Sequence, residues 1–107
     1  MKTLKIIAEI GWNHLGDIGI AEKMIISAKQ SGANVAKFQL WDPKHLKKGP
    51  WDTDGRREIY EKASLNLDSI DKLKNCCAQN DIEFLLSAFG TKSAKIIKEI
   101  GLSSIKI

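Results

Sequence analysis

Seven polar side chains stand near the C-terminal ends of short apolar runs. In Ile6-Ile7-Ala8-Glu9-Ile10-Gly11-Trp12-Asn13-His14 they are a carboxylate, an amide and an imidazole: Glu9, Asn13 and His14. Val35-Ala36-Lys37-Phe38-Gln39 adds the ammonium of Lys37 and the amide of Gln39, and Phe84-Leu85-Leu86-Ser87-Ala88-Phe89 adds the hydroxyl of Ser87. Ile105-Lys106-Ile107 begins the pattern again with Lys106. A charged side chain inside a buried strand is costly unless it is paired. Lys37, between Val35, Ala36 and Phe38, is therefore expected either to face a ligand or to form an ion pair, and Glu9 is the carboxylate available to it. The two could pair in an empty site and change partners when a substrate arrives.

For these groups to meet, the runs must be neighbouring parallel strands. The sequence between them supports that. Residues 4–10 read as a buried strand ended by Gly11. Asp17 can cap a helix over 19–31, whose stripe is Ile20, Ala21, Met24, Ile25 and Ala28, with Gly32 at its C-terminal end. Residues 35–40 form a second strand. Residues 41–56, with Pro43, Gly49, Pro50 and Gly55, read as a long loop without regular structure; at the C-terminal end of a strand such a loop is either functional or a flexible surface connection. A short helix over 57–63 precedes a second long one from Asn66 or Asp68 to about Asn80, with Ile70, Leu73, Cys77 and Ala78 on one face. Residues 81–86 are a third strand, 91–100 a helix ended by Gly101, and Ile105 opens a fourth strand. The order βαβαβαβ specifies a parallel sheet with covering helices, and α/β proteins bind ligands outside the carboxyl ends of such strands. No Gly-x-Gly-x-x-Gly follows the first strand, so a dinucleotide fold loses support. A whole (β/α)8 barrel takes about 250 residues. Residues 1–107 are thus expected to be one partial domain, the N-terminal half of a TIM (β/α)8 barrel.

The bulk numbers agree with a globular domain. The chain has 107 residues, 43% hydrophobic and 28% charged, with a net charge of +4 that suits a small anionic ligand. No apolar run approaches the roughly 18 residues of a membrane span, and the N-terminal run is too short and polar for a secretory signal. A cytoplasmic protein with no membrane partner is expected. The basic cluster Lys44-His45-Leu46-Lys47-Lys48 reads as a solvated loop, so no nucleic-acid partner is expected, although Trp41 and Trp51 bracket it. The tryptophans, Trp12 included, read as packing rather than as sugar platforms. Cys76 and Cys77 are adjacent, which suits reduced structural thiols and not a metal pair.

Two segments carry a resemblance. Ile7-Ala8-Glu9-Ile10-Gly11-Trp12-Asn13-His14-Leu15-Gly16-Asp17 closely resembles the first strand and loop of the sialic acid synthase (N-acetylneuraminate synthase) family. Ala28-Lys29-Gln30-Ser31-Gly32-Ala33-Asn34-Val35-Ala36-Lys37-Phe38-Gln39 resembles its second strand and the helix end before it. Residues 82–89 are similar to the third strand and 104–107 to the start of the fourth. Leu15 departs from the Asn-His-Asn-Gly turn common in that family, and Leu86-Ser87-Ala88-Phe89-Gly90 departs from its usual S-T-P-F-D.

The resemblance implies a barrel that condenses phosphoenolpyruvate with an N-acylated amino sugar such as N-acetylmannosamine, releasing phosphate and a nonulosonic acid. By it, Glu9 and Lys37 would be catalytic. Lys37 would contact the carboxylate or phosphate of phosphoenolpyruvate, with Gln39 lining the same pocket. Ser87 and Lys106 would contact phosphate, and Glu9 would bind hydroxyls of the acceptor. Asn13 and His14 are candidates for the substrate site as well, although an amide and an imidazole so placed more often hydrogen-bond a turn than do chemistry. A divalent metal, Mn or Mg, is implied for the complete enzyme, with ligands on later strands and none in this chain. The half-barrel alone is expected to be inactive and to self-associate as a homo-oligomer through its open sheet edges. The alternative is a non-catalytic anion-binding module that retains Lys37, Ser87 and Lys106.

Overall fold

The computed structural model describes residues 4–102 and 104–106. Three parallel strands, β1 (Ile7–Gly11), β2 (Val35–Leu40) and β3 (Glu83–Ala88), form one sheet in the order β1-β2-β3. Between them lie α1 (Ile18–Gln30), α2 (Arg56–Ala63) and α3 (Leu67–Gln79), and α4 (Thr91–Glu99) follows β3. Successive side chains of a strand point to opposite faces. Ile10, Ala36, Phe38, Leu40, Phe84 and Leu86 point to one face and share a core with Ala21 and Ile25 of α1, Ile70, Leu73 and Cys77 of α3, and Ile97 of α4. All the long helices therefore cover the same face. A doubly wound sheet would reverse its strand order and place helices on both faces. Sequential strands with helices on one side are the wall of a (β/α)8 barrel. The opposite face carries Glu9, Lys37, Gln39 and Ser87.

The helices begin and end where local chemistry allows. The Asp17 carboxylate accepts the Ile20 N–H at 3.1 Å, and the Asn66 side chain accepts the Ser69 N–H at 2.8 Å, satisfying donors that a helix leaves open. At the end of α1, Ala33 N–H donates to the Ala28 carbonyl and Gly32 N–H to that of Lys29, the two bonds of a Schellman motif. The end of α3 repeats them: Ile82 N–H donates to Cys77 and Asp81 N–H to Ala78, with Asp81 left-handed at φ +52°. Asp81 thus closes a helix. It does not open the strand over 81–86 that its neighbours suggest, and β3 starts two residues later.

Other expectations shift for physical reasons. Ala21, Ile25 and Ala28 are buried, but Ile20 is exposed and Met24 only half-buried, because no element among the described residues covers that side of α1. On α3 Cys76 is buried in place of Ala78. Both thiols are free, and burial pushes Cys77 up to about 12, which makes it unreactive. The segment after β2 is less irregular than its prolines imply. Pro43–His45 and Pro50–Asp52 are short 3-10 turns that each begin on proline, where a missing N–H costs nothing. Of the fourth strand, Lys106 makes a parallel bridge to Ser87, its N–H donating to the Leu86 carbonyl; Ile107 lies outside the described residues. No helix among the described residues is long and apolar enough to cross a membrane.

Candidate functional site

The strand register builds the site. Glu9 lies beside Lys37 and Gln39 beside Ser87 on paired strands, so these side chains share the face away from the helices. Lys37 Nζ donates to Glu9 Oε1 at 2.6 Å, and Gln39 Nε2 reaches the same oxygen at 3.3 Å. The environments of the pair differ sharply. The Lys37 side chain is 9% exposed and that of Glu9 is 49% exposed. An ammonium has three donors, and Glu9 is the one ion-pair partner of Lys37 among the described residues. The remaining donors sit in low dielectric, where attraction for an incoming anion is strong. Ser87 is buried next along the same face, and Lys106 is bridged to it. A register shift between Glu9 and Gly11 bends β1 at the level of this group.

The structure therefore brings together Glu9, Lys37 and Gln39, and it sets Ser87 and Lys106 side by side on the adjoining strands. Asn13 stands in the turn after β1, its amide donating to the Ile10 carbonyl at 2.8 Å and lying near Gly11 and Gln39. His14 is elsewhere. Its ring is 1% exposed and packs on Phe38, which belongs to the helix-covered face, with ring centroids 5.9 Å apart. Nδ1 accepts the Gly16 N–H at 2.9 Å, so the ring proton is assigned to Nε2, which is buried without a partner. His14 holds the turn in place. Leu15 sits at its corner with φ +52°. Asparagine tolerates that left-handed conformation better than leucine, which explains the residue the related turn prefers.

Burial pushes the His14 imidazole below its ordinary 6.5. The folded state thus binds fewer protons than the unfolded chain, and stability rises with pH in that range. The contribution of neutral His14 is full above about pH 6.5 and is lost as the pH falls from there through the depressed folded value. Urea unfolding at pH 7.5 and 5.5 is expected to show a drop that His14→Gln reduces. A slope unaltered by that substitution would assign the effect to other groups.

A second feature has almost no signature in the sequence. Trp12, Gln39, Trp41, Leu46, Tyr60 and Phe89 line a cavity of about 210 Å³ next to the ion pair. Trp41 follows Gln39 by two residues, which is the one sequence signal that could have placed it on the same side. Nothing local marks Tyr60, which arrives from α2.

Residues 24–107 match the NeuB family. The chain belongs to that family. Among NeuB family relatives, the N,N'-diacetyllegionaminic acid synthase of Campylobacter jejuni is 33% identical over all of this chain and 35% of its own length. The N-acetylneuraminate-9-phosphate synthase of Drosophila melanogaster is 31% identical over 98% of this chain and 31% of its own length. A crystal structure of the N-acetylneuraminic acid (sialic acid) synthetase of Leptospira borgpetersenii, in complex with citrate, superposes with a TM-score of 0.84 at 28% identity. It covers 99% of this chain, which in turn covers 36% of that one. The resemblance carried by residues 7–17 and 28–39 is thereby established, as is the barrel wall. This NeuB family chain spans about a third of the length of the curated relatives it matches.

A divalent metal does not fit the donors of the described residues. Among the described residues no three His, Cys, Asp or Glu side chains cluster. His14 spends Nδ1 on the turn, His45 Nδ1 lies 3.1 Å from Asp42, and Glu9 is held by Lys37.

Proposed function

We propose that this chain supplies the anion cradle and part of the sugar site of a nonulosonic acid synthase. In that reaction C3 of phosphoenolpyruvate attacks the aldehyde carbon of an open-chain N-acylated amino sugar, forming a C–C bond. The aldehyde C=O π bond opens and its oxygen is protonated. Water adds at C2 and gives up a proton, and the C2–O bond to phosphate breaks to leave a ketone and free phosphate. Family membership and the names of the relatives support the reaction class. The observation that carries the assignment to residues is Lys37, a buried ammonium on the open sheet face with one carboxylate partner.

In this reading Lys37 neutralises the carboxylate or phosphate of phosphoenolpyruvate and holds negative charge as the enol reacts. Electrostatic stabilisation of that kind is usually an enzyme's strongest lever on the barrier. Gln39 lines the same pocket. Ser87 and Lys106 hold the phosphate from β3 and the segment beside it. Glu9, half in water, releases Lys37 when the anion arrives and accepts hydroxyl protons of the acceptor sugar. Asn13 borders the sugar, and His14 fixes the turn that carries Asn13. Ile7 lies exposed on β1, which is an edge strand among the described residues, so self-association through that edge belongs to the same reading, and sedimentation velocity reads it.

Calorimetric titration of the 107-residue protein with phosphoenolpyruvate tests the cradle. Saturable binding is expected, with affinity falling about 100-fold or more in Lys37→Ala, as when a charge-assisted contact of roughly 3 kcal/mol is lost. Equal binding by a folded Lys37→Ala protein would remove Lys37 from the site. Binding without product formation would favour the non-catalytic anion-binding module.

A further inference from the structure

The cavity beside the ion pair has an unusual lining. Four of its six residues are aromatic, and one is the amide Gln39. Its walls are preset. Trp41 Nε1 donates to the Tyr60 carbonyl at 3.1 Å, and Ser64 Oγ donates to the Trp41 carbonyl at 3.1 Å. Tyr60 stands edge-on to Trp12 and to Trp41, with centroids 5.9 and 6.3 Å apart, and Trp41 stands edge-on to Phe89 at 6.5 Å. Trp51 packs on Tyr60 at 5.5 Å, and its Nε1 donates to the Lys47 carbonyl at 2.7 Å. The loop is tied to α4 as well: Asp42 pairs with Lys92 at 3.2 Å, and the Lys44 N–H holds the Asp42 carboxyl below the usual range. The Trp41 and Trp51 N–H groups are thus already bonded to backbone. What remains for a ligand is aromatic surface and one amide.

At about 210 Å³ the cavity is smaller than the roughly 300–1,000 Å³ of a site that takes a whole ligand. It fits part of a molecule whose polar remainder lies on Glu9. Gln39 touches both regions, lining the cavity while its Nε2 reaches Glu9. No carboxylate lines the cavity, which argues against a cationic guest. An amide with a short alkyl end satisfies every wall: its N–H or C=O can meet Gln39, and its alkyl end packs among rings.

We infer that this aromatic box is a specificity subsite for the acylamino group of the acceptor sugar, with Gln39 on the amide and Trp12, Trp41, Tyr60 and Phe89 around the acyl chain. The assignment rests on the synthase reading of the neighbouring residues. It makes the loop after β2 a determinant of which amino sugar is accepted.

All three tryptophans lie in or against the box, so their emission reports on it. The 107-residue protein is titrated with N-acetylmannosamine and with mannose, which lacks the acylamino group. The first is expected to shift the tryptophan emission and to bind at least about tenfold tighter, the scale of one well-packed apolar group. Leu46→Phe fills the box, and Phe89→Ala opens a wall that is already half exposed; each is expected to erase the preference. Equal binding of the two sugars, no binding of either, or a preference surviving both substitutions would overturn the subsite. Phosphoenolpyruvate titrated into the same samples separates the two failures. Loss of its binding with the acyl preference intact overturns the cradle alone. Binding of phosphoenolpyruvate without an acyl preference overturns the subsite alone.

Discussion

Gly16→Ala is expected to destabilise the protein by about 3 kcal/mol or more, while Gly32→Ala costs only about 1–2 kcal/mol. Both glycines have positive φ, +85° and +97°. Any L-residue meets the same backbone penalty at either site, on the order of 1–2 kcal/mol. Their surroundings differ. A Cβ on Gly32 would meet nothing within 4 Å. One on Gly16 would overlap the Lys62 carbonyl oxygen and lie 2.9 Å from the Lys62 carbonyl carbon. That neighbour is backbone at the end of α2 and cannot rotate away. The clash must be relieved by moving the turn off α2, an overpacking cost of about 1–3 kcal/mol.

The turn that would move is the one carrying Asn13 and His14. Gly16 N–H is also the donor that His14 Nδ1 accepts, so displacement threatens a second buried contact. Thermal unfolding followed by circular dichroism distinguishes the two variants. For a domain of this size about 4–8 °C of melting temperature corresponds to each kcal/mol. Gly16→Ala is expected to lose more than about 12 °C and Gly32→Ala about one-third to two-thirds of the Gly16→Ala loss. Equal losses would mean that only the φ penalty matters and that the turn is free of α2.

The contrast between these turns shows what sequence could and could not supply. Gly32 and Gly101 are readable as helix ends because the apolar stripe stops just before each. Asp81 plays the same part at φ +52°, yet an aspartate before Ile82 and Phe84 reads as the start of a strand. The pairing of Glu9 with Lys37 is legible because burial leaves a strand lysine few choices. His14 is legible in part. An imidazole after Gly11 more often hydrogen-bonds a turn than does chemistry, as it does here with the Gly16 N–H, but only the tertiary path, with Leu15 and Gly16 both at positive φ, tucks the ring against Phe38. The aromatic box depends on α2 folding back on the loop after β2, where Trp41 meets Tyr60, a contact that no local pattern encodes. Its tryptophans read as packing, which they also are.

Glu9→Gln and Lys37→Met are expected to act in opposite directions on stability although they break the same 2.6 Å contact. Removing one member of a buried pair costs about 3–5 kcal/mol, because the other charge is left buried without compensation. Here the burial is one-sided. Glu9→Gln leaves the Lys37 ammonium in the interior with a neutral acceptor. Because the Glu9 side chain is half exposed and water can partly replace it, the expected loss is discounted to about 1–3 kcal/mol. Lys37→Met removes the buried charge and keeps most of the stem volume. Glu9 then turns to water, so the change is expected to be neutral or to stabilise by about 1 kcal/mol. The double variant is expected to match Lys37→Met alone, giving a coupling energy of about 1–3 kcal/mol. Urea unfolding of the four proteins measures the cycle. Phosphoenolpyruvate titration of Lys37→Met measures the other half of the argument: a protein at least as stable as the parent that no longer holds the anion. A buried cation that lowers or does not raise stability, yet is needed for binding, is there for the ligand. If Lys37→Met instead proves the more damaging of the two single changes, Lys37 is a structural residue and the anion cradle loses its centre.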